Sequence, residues 1–172
     1  MADETPPRRV LKESTGKTGV PSETRLKPQR PRDLLGRPLP WDAKNQLVLE
    51  DYDSMTVEQN HEAGVGHARA GRWFPAHEAW ETAWKRSKGT GDAEFFKGLS
   101  QMGAGYVHLL RGNAHGARTL WRRASSRISR YEDGHRGVHT VALSRLLDSE
   151  AERVEDGRLL PGRDAAYQHP VL

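Results

Sequence analysis

The segment FPAHEAWETAW, residues 74–84, has the periodicity of an α-helix with one buried face. Its apolar residues recur three and four positions apart, which places them on a single arc of the helix: Ala76, Ala79, Trp80, Ala83 and Trp84. Pro75 stands in the first turn, where a proline removes no helical hydrogen bond. A helix is therefore predicted over about residues 75–86, with this arc in the core.

Four further segments on either side of it are also predicted to be helices. They span about residues 54–70, 93–111, 114–131 and 138–154. Gly71 and Gly112 are suited to end the first and third of the five helices, and Asp92 and Asn113 to cap the starts of the third and fourth. No segment alternates convincingly between apolar and polar residues as a strand does. The short connections predict an all-α fold, a compact antiparallel bundle of about five helices.

The flanks of this helical region differ from it in composition. The first forty residues contain seven of the ten prolines, and nine lysines and arginines against five acidic residues. Residues 1–50 are therefore predicted to be a disordered basic tail rich in proline and arginine. The helical domain is expected over residues 51–155. Residues 156–172 are a C-terminal extension, whose turn-forming residues are typical of a loose segment.

Composition limits the class of protein. The chain has no cysteine, which excludes disulfides and thiolate metal sites and suits the reducing cytoplasm. It has no signal-peptide core and no stretch near the roughly 20 apolar residues of a membrane span, so a soluble cytoplasmic protein without a membrane partner is expected. An apolar strip on the fifth helix is a candidate surface for a homodimer.

Positive charge gives a weak indication of nucleic-acid binding. The basic excess lies in the tail, and the fourth predicted helix has arginines on one side: Arg118, Arg122, Arg123, Arg127 and Arg130. Both regions could contact phosphates. A solubilising tail and a solvated helix face are the more ordinary interpretation.

The second predicted helix carries a candidate metal site. His77 and Glu81 lie one turn apart at the border of its apolar arc, so the two side chains can supply two ligands to one divalent metal ion. Glu78 could hold a water molecule as a general base. The zincin motif has a second histidine where this chain has Glu81, so that assignment fails.

The third predicted helix has a polar stripe that could complete this site. The polar residues of this stripe recur every seven positions: Glu94, Gln101 and His108. Small residues lie beside them: Gly98, Ala104 and Gly105. Small residues permit close helix packing, so the stripe is predicted to meet the edge of the second helix. His77, Glu81 and His108 are then the predicted metal ligands, with Gln101 and Trp84 around them.

A structural interpretation of the same residues remains open. Buried histidine, glutamate and glutamine side chains often form a hydrogen-bond network that only fixes the packing of helices. The position of Glu78 in a first helical turn is explained by the helix dipole alone. The remaining histidines, among them His61, His67 and His115, have no ligand spacing and are interpreted as surface or local hydrogen-bonding residues.

Two stretches of the chain are similar to a known family. RWFPAHEAWETAW, residues 72–84, and FFKGLSQMGAGYVHLLRGNAHGARTLWRRA, residues 95–124, resemble domain of unknown function family 309. The resemblance covers about residues 54–150 and rests on twelve residues: His77, Glu78, Glu81, Trp84, Gly98, Leu99, Gln101, His108, Gly112, Asn113, Gly116 and Ala117. It implies a compact all-helical domain and a metal-dependent hydrolase. A non-enzymatic helical binding or scaffold module is the alternative, and neither interpretation names a substrate or protein partner.

Overall fold

A computed structural model describes residues 29–172 of the chain. Its five α-helices are α1 (Val57–Arg69), α2 (Trp73–Arg86), α3 (Ala93–Leu110), α4 (Ala114–Ile128) and α5 (Thr140–Glu155). Short 3-10 turns precede α1 (Tyr52–Ser54) and α5 (His135–Gly137). Within the described residues the only β-type pairing is an isolated bridge between Arg32 and Pro38. The all-α fold with five helices is confirmed.

Each helix packs mainly against the next one in the chain. The core is dominated by aromatic rings from α2, α3 and α4. Trp73 stacks on Tyr106 with ring centroids 3.9 Å apart, and Tyr106 meets Trp121 edge to face at 4.8 Å. Such pairs add specific geometry to the large apolar area that aromatic side chains bury. The three central helices therefore form one rigid unit on which a site can be held.

Local signals at the helix starts match the prediction in part. Asn113 caps α4 as predicted, since its Oδ1 accepts a hydrogen bond from the Gly116 backbone N–H at 2.8 Å. Asp92 precedes α3 as predicted but does not cap it. Its carboxylate instead contacts His135 Nε2 at 2.8 Å and the guanidinium of Arg136. The sequence spacing located the helix start, but the side chain has a long-range partner.

Helices α2 and α3 approach closely at the predicted site. A Cβ added to Gly103 on α3 would lie 3.1 Å from the backbone nitrogen of His77 and 3.2 Å from its Cα. Only a residue without a side chain leaves this spacing undisturbed. Gly103 therefore holds the backbone of His77 directly against α3.

Residues 29–50, which we call the strap, differ from the predicted disordered tail. The other predicted tail residues, 1–28, lie outside the described part of the chain. In the strap, the buried Asp33 carboxylate accepts hydrogen bonds from the Leu35 and Arg37 backbone N–H groups and from the Arg37 side chain. Leu47 is buried. The sequence did not predict this order, because the strap is rich in proline and charged residues. Its few buried residues are too far apart to form a periodic pattern.

Residues 156–172 pack against the bundle, although the sequence predicts a loose segment. Leu159 and Leu172 are buried. The indole N–H of Trp73 donates a hydrogen bond to the Tyr167 hydroxyl at 2.9 Å, and the Tyr106 hydroxyl donates to the Gln168 carbonyl at 3.2 Å. The aromatic column of the core thus continues into the C-terminal segment.

Two further expectations concern surfaces. Among residues 29–172, no helix has the length and apolar character required to cross a membrane.

On α5, Leu147 is buried and Leu146 partly buried, while Val141 and Ala142 remain exposed. The apolar strip is therefore narrower than the sequence indicates, and the homodimer stays a prediction.

Candidate metal centre

Three side chains of α2 converge on its second and third turns. One ligand atom from each of His77, Glu78 and Glu81 lies within 4.8 Å of the others. His77 Nε2 is 3.9 Å from Glu78 Oε1, and the side chains of these two residues are 24% and 32% exposed. Residues three and four positions apart are neighbours on a helix surface, so Glu81 lies beside both His77 and Glu78. The group is held by a rigid helix and is accessible to solvent.

The His77 imidazole is oriented by the neighbouring helix α3. Its Nδ1 lies 3.0 Å from the Ser100 carbonyl oxygen and 3.0 Å from the Ser100 hydroxyl. A carbonyl oxygen can only accept a hydrogen bond, so Nδ1 must carry the hydrogen. In the neutral imidazole the lone pair is then on Nε2, the atom near Glu78. Metal-binding histidines usually have this arrangement, with the second ring nitrogen bonded to a carbonyl or carboxylate.

The two carboxylates have different surroundings. Glu81 Oε2 pairs with Lys85 Nζ at 3.2 Å, one turn further along α2. An exposed pair of this kind contributes only about 0.3–0.5 kcal/mol, so it orients Glu81 without excluding a stronger partner. Within residues 29–172, Glu78 has no lysine or arginine nitrogen within 4.0 Å. Glu78 is therefore the less compensated acid of the two.

His108, the third predicted ligand, is not part of this group. Its Nδ1 accepts a hydrogen bond from the Asn113 amide at 2.8 Å, at the start of α4. Burial, followed by the charges of Arg111 and His77, lowers the pKa of His108. The pKa of His108 thus responds to the charge of His77. The hydrogen bond of the His108 ring, however, is to Asn113 at the start of α4. The third member of the convergent group is Glu78 and not His108.

The reason for this difference is the rotation of α3. Two of the three small residues that were predicted to meet α2 face α4 instead: an added Cβ on Gly98 would contact Ile128, and one on Gly105 would contact Trp121. Ser100 and Gly103 meet α2. The polar stripe is consequently turned away from the position that would place His108 beside Glu81.

The two residues predicted around the site, Gln101 and Trp84, also lie outside the three-residue group. Gln101 Oε1 is buried and has no hydrogen-bond partner among the described residues. The ring of Trp84 is contacted by the ammonium groups of Lys97 and Lys88, at 5.0 and 5.5 Å from its centroid. The Trp84 ring, one turn after Glu81, is thus engaged by lysines of the same chain.

Residues 61–120 match the family model described as Domain of unknown function (DUF309). Over these 60 residues the chain is similar to the DUF309 family. The match includes the three convergent side chains and also His108, and it ends within α4. Neither a curated protein nor a solved structure matches the chain significantly.

Two histidines of the matched region that the sequence left without a site role are buried hydrogen-bonding residues. His61 accepts a hydrogen bond from the Trp80 indole through Nδ1 at 3.2 Å, and its Nε2 donates to the Arg136 carbonyl at 3.0 Å. His67 Nε2 contacts the Tyr52 hydroxyl at 2.9 Å. Burial is the main cause that lowers the pKa of both histidines. The helical spacing of His61 with the apolar residues of α1 was the signal for its burial.

The arginines of α4, which the DUF309 match includes only in part, are largely compensated within the fold. Arg118 and Arg122 both pair with Glu155 on α5, and Arg127 Nε lies 2.9 Å from Glu94 Oε2 on α3. Within residues 29–172, Arg123 on α4 and Arg130, which follows the end of α4 in the structure, have no acidic partner within 4.0 Å. This face therefore serves mainly to join α4 to its neighbours, which favours the solvated-face interpretation over phosphate binding.

Proposed function

We propose that the helical domain binds a divalent metal ion through His77, Glu78 and Glu81, and that it is a metal-dependent hydrolase. The observation that carries the proposal is the hydrogen bond from His77 Nδ1 to the Ser100 carbonyl, because it leaves Nε2 free beside two carboxylates. A donor set of one imidazole and two carboxylates suits a first-row transition ion. Such an ion, when bound, would supply Lewis acidity and lower the pKa of water.

The proposed roles follow from the surroundings of each residue. His77 binds the ion through Nε2, and the Ser100 carbonyl keeps the ring in the required tautomer. Lys85 orients Glu81 as a second ligand. Glu78 binds the ion through one carboxylate oxygen, and we expect its other oxygen to take up the proton from the attacking water, since no lysine or arginine nitrogen of the described residues lies within 4.0 Å of it. The exposed side of the group leaves room for a substrate.

His108 remains a candidate additional ligand. Its imidazole is near His77, and a neutral histidine with a lowered pKa is available to a metal at neutral pH. It would have to exchange its hydrogen bond to Asn113 for the metal. A His108→Ala variant that binds metal as tightly as the wild type would remove it from the proposed site.

A scaffold module is the second candidate function. The His77 contact to Ser100 and the Glu81 pair with Lys85 also fix α2 on α3 without any ion. Protein hydrogen bonds satisfy both groups in that case, as buried polar groups generally require. This alternative predicts a protein that binds no metal and only loses stability when His77 is changed.

Metal content separates the two functions. Elemental analysis of protein purified without an affinity tag, and titration calorimetry with Mn²⁺ and Zn²⁺, should give about one ion per chain. His77→Ala and Glu81→Gln should each weaken binding more than about 10-fold, because direct ligands contribute more than the outer hydrogen bonds whose loss already costs that much. His115→Ala, at an exposed position on α4, is the matched control. A wild-type protein without affinity for either ion would contradict the hydrolase and support the scaffold.

A further inference from the structure

A cleft between the strap and α2 is adjacent to the proposed metal centre. Its volume is about 890 Å³, and it is lined by residues of both segments, among them Arg30, Arg32, Asn45, Leu49, Phe74 and Glu78. Glu78 belongs to the metal centre as well. The cleft and the three-residue group therefore share a wall.

Phe74 forms a second connection between the cleft and the metal centre. Its ring packs edge to face against the His77 imidazole, with centroids 6.3 Å apart. On the other side the strap lies directly on this ring, because a Cβ added to Gly36 would overlap the Phe74 side chain. Gly36 has a φ of +78°, a conformation that favours glycine on its own account. The strap is thus fitted to the aromatic wall of the cleft.

The two cleft arginines are oriented but not neutralised. Arg30 Nε donates to the Leu39 carbonyl at 2.6 Å, and Arg32 Nη1 donates to the Gly36 carbonyl at 2.7 Å. Among the residues that the structure describes, neither has a carboxylate within 4.0 Å, whereas Arg37 in the same strap pairs with Asp33 at 2.8 Å. A carbonyl partner fixes a guanidinium without cancelling its charge. The remaining N–H groups are available to an anion.

We infer that this cleft binds a phosphomonoester, with the phosphate on Arg30 and Arg32 and the organic part against Phe74 and Leu49. Guanidinium groups match phosphate oxygens with paired, charge-assisted hydrogen bonds. The apolar wall excludes water from the organic part of such a ligand. Both arginines lie outside the DUF309 match, so ligand recognition comes from a segment that the family model does not include.

Because the cleft adjoins the proposed metal centre, phosphomonoesters would be the substrate class of that centre. This part of the inference rests on the proposed function. The negative charge of Glu78 opposes an anion in the shared cleft, and a cation at Glu78 would remove that opposition. Phosphomonoester binding should therefore tighten when the metal is present. Anion binding by the arginines themselves requires no metal.

Titration calorimetry on the full chain tests the inference, with phenyl phosphate as the probe and with inorganic phosphate and phenol for comparison. The test variant is Arg30→Gln with Arg32→Gln. The matched control is Arg123→Gln with Arg130→Gln, which removes the same charge from exposed positions on α4 and just after its end. Each titration is made in EDTA and again with Mn²⁺, and circular dichroism confirms that both variants fold. Arg30→Gln alone is the fallback variant, because its side chain makes a single carbonyl contact.

We expect phenyl phosphate to bind more tightly than phosphate, phenol to bind weakly, and the strap variant to lose at least about 10-fold in affinity already in EDTA. The control variant should bind like the wild type. Equal losses in both variants would show only general charge attraction and would overturn the inference, as would a wild type that does not bind phenyl phosphate. Arginine-dependent binding in EDTA that Mn²⁺ does not strengthen would support the cleft and contradict the metal centre.

Discussion

The buried His61 makes the stability of the domain sensitive to acid. Its Nδ1 accepts the Trp80 N–H and its Nε2 donates to the Arg136 carbonyl, so the ring is required in its neutral form. Burial is the main cause that lowers the pKa of His61 below its ordinary value of 6.5. The hydrogen bond to the Arg136 carbonyl opposes this lowering of the pKa, the charge of Arg136 adds to it, and Glu62 opposes it. Protonation would place an N–H on Nδ1, directly against the indole N–H.

The sign and size of the effect follow from proton linkage. The unfolded histidine takes up a proton as the pH falls through its ordinary pKa, and the folded one does not until a lower pH. The stabilisation from this group is therefore complete above the unfolded pKa and is lost as the pH falls below it. Between about pH 7.5 and about pH 5.5 the loss from His61 is at most about 1.4 kcal/mol of unfolding free energy.

Urea unfolding followed by circular dichroism at these two pH values measures this loss. The wild type is compared with His61→Gln, which cannot titrate at this position, and with His115→Gln as a control for the loss of an exposed histidine. Other groups titrate in all three proteins, so the difference in pH dependence isolates His61. We expect the destabilisation caused by His61→Gln to shrink by up to about 1.4 kcal/mol at the lower pH. Parallel pH dependences of wild type and His61→Gln would refute the reasoning.

Three further predictions concern stability and are measured by the same urea unfolding at neutral pH. Thr56→Ala should cost about 1 kcal/mol, because it removes the capping box of α1. Tyr167→Phe leaves the buried N–H of Trp73 without a partner and should cost about 1–3 kcal/mol, whereas no loss would show that the C-terminal segment detaches in solution. Gly105→Ala introduces a Cβ 2.5 Å from the Trp121 ring, so we expect a net loss despite the better helix propensity of alanine, and a gain would show that Trp121 can move.

The sequence was sufficient to predict the helices because their periodicity is local. In α4 the residues at helical spacing, Ala117, Trp121, Ala124 and Ile128, are all buried, and Asn113 caps the helix as expected. The strap and the C-terminal segment could not be predicted in the same way. Their anchoring residues are isolated along the chain and become buried only through contacts with distant helices.

The candidate site shows the same division between local and long-range information. His77 and Glu81 lie on one helix, so their spacing alone brings them together, and Glu78 joins them from the same helix. His108 depended on how α3 is rotated against α2, which no residue spacing specifies. The Ser100 carbonyl that orients His77 is a backbone atom, and no side-chain pattern could identify it.

The aromatic column of the core gives the protein a built-in optical probe. Of its five tryptophans, Trp73, Trp80 and Trp121 are almost entirely inaccessible to solvent, whereas Trp41 is 64% exposed. Indole emission shifts to longer wavelength when water reaches the ring, so the intrinsic fluorescence of the chain should follow loss of the core without any attached dye. A Trp41→Phe variant would remove the background signal from the strap and leave the emission dominated by the helical domain.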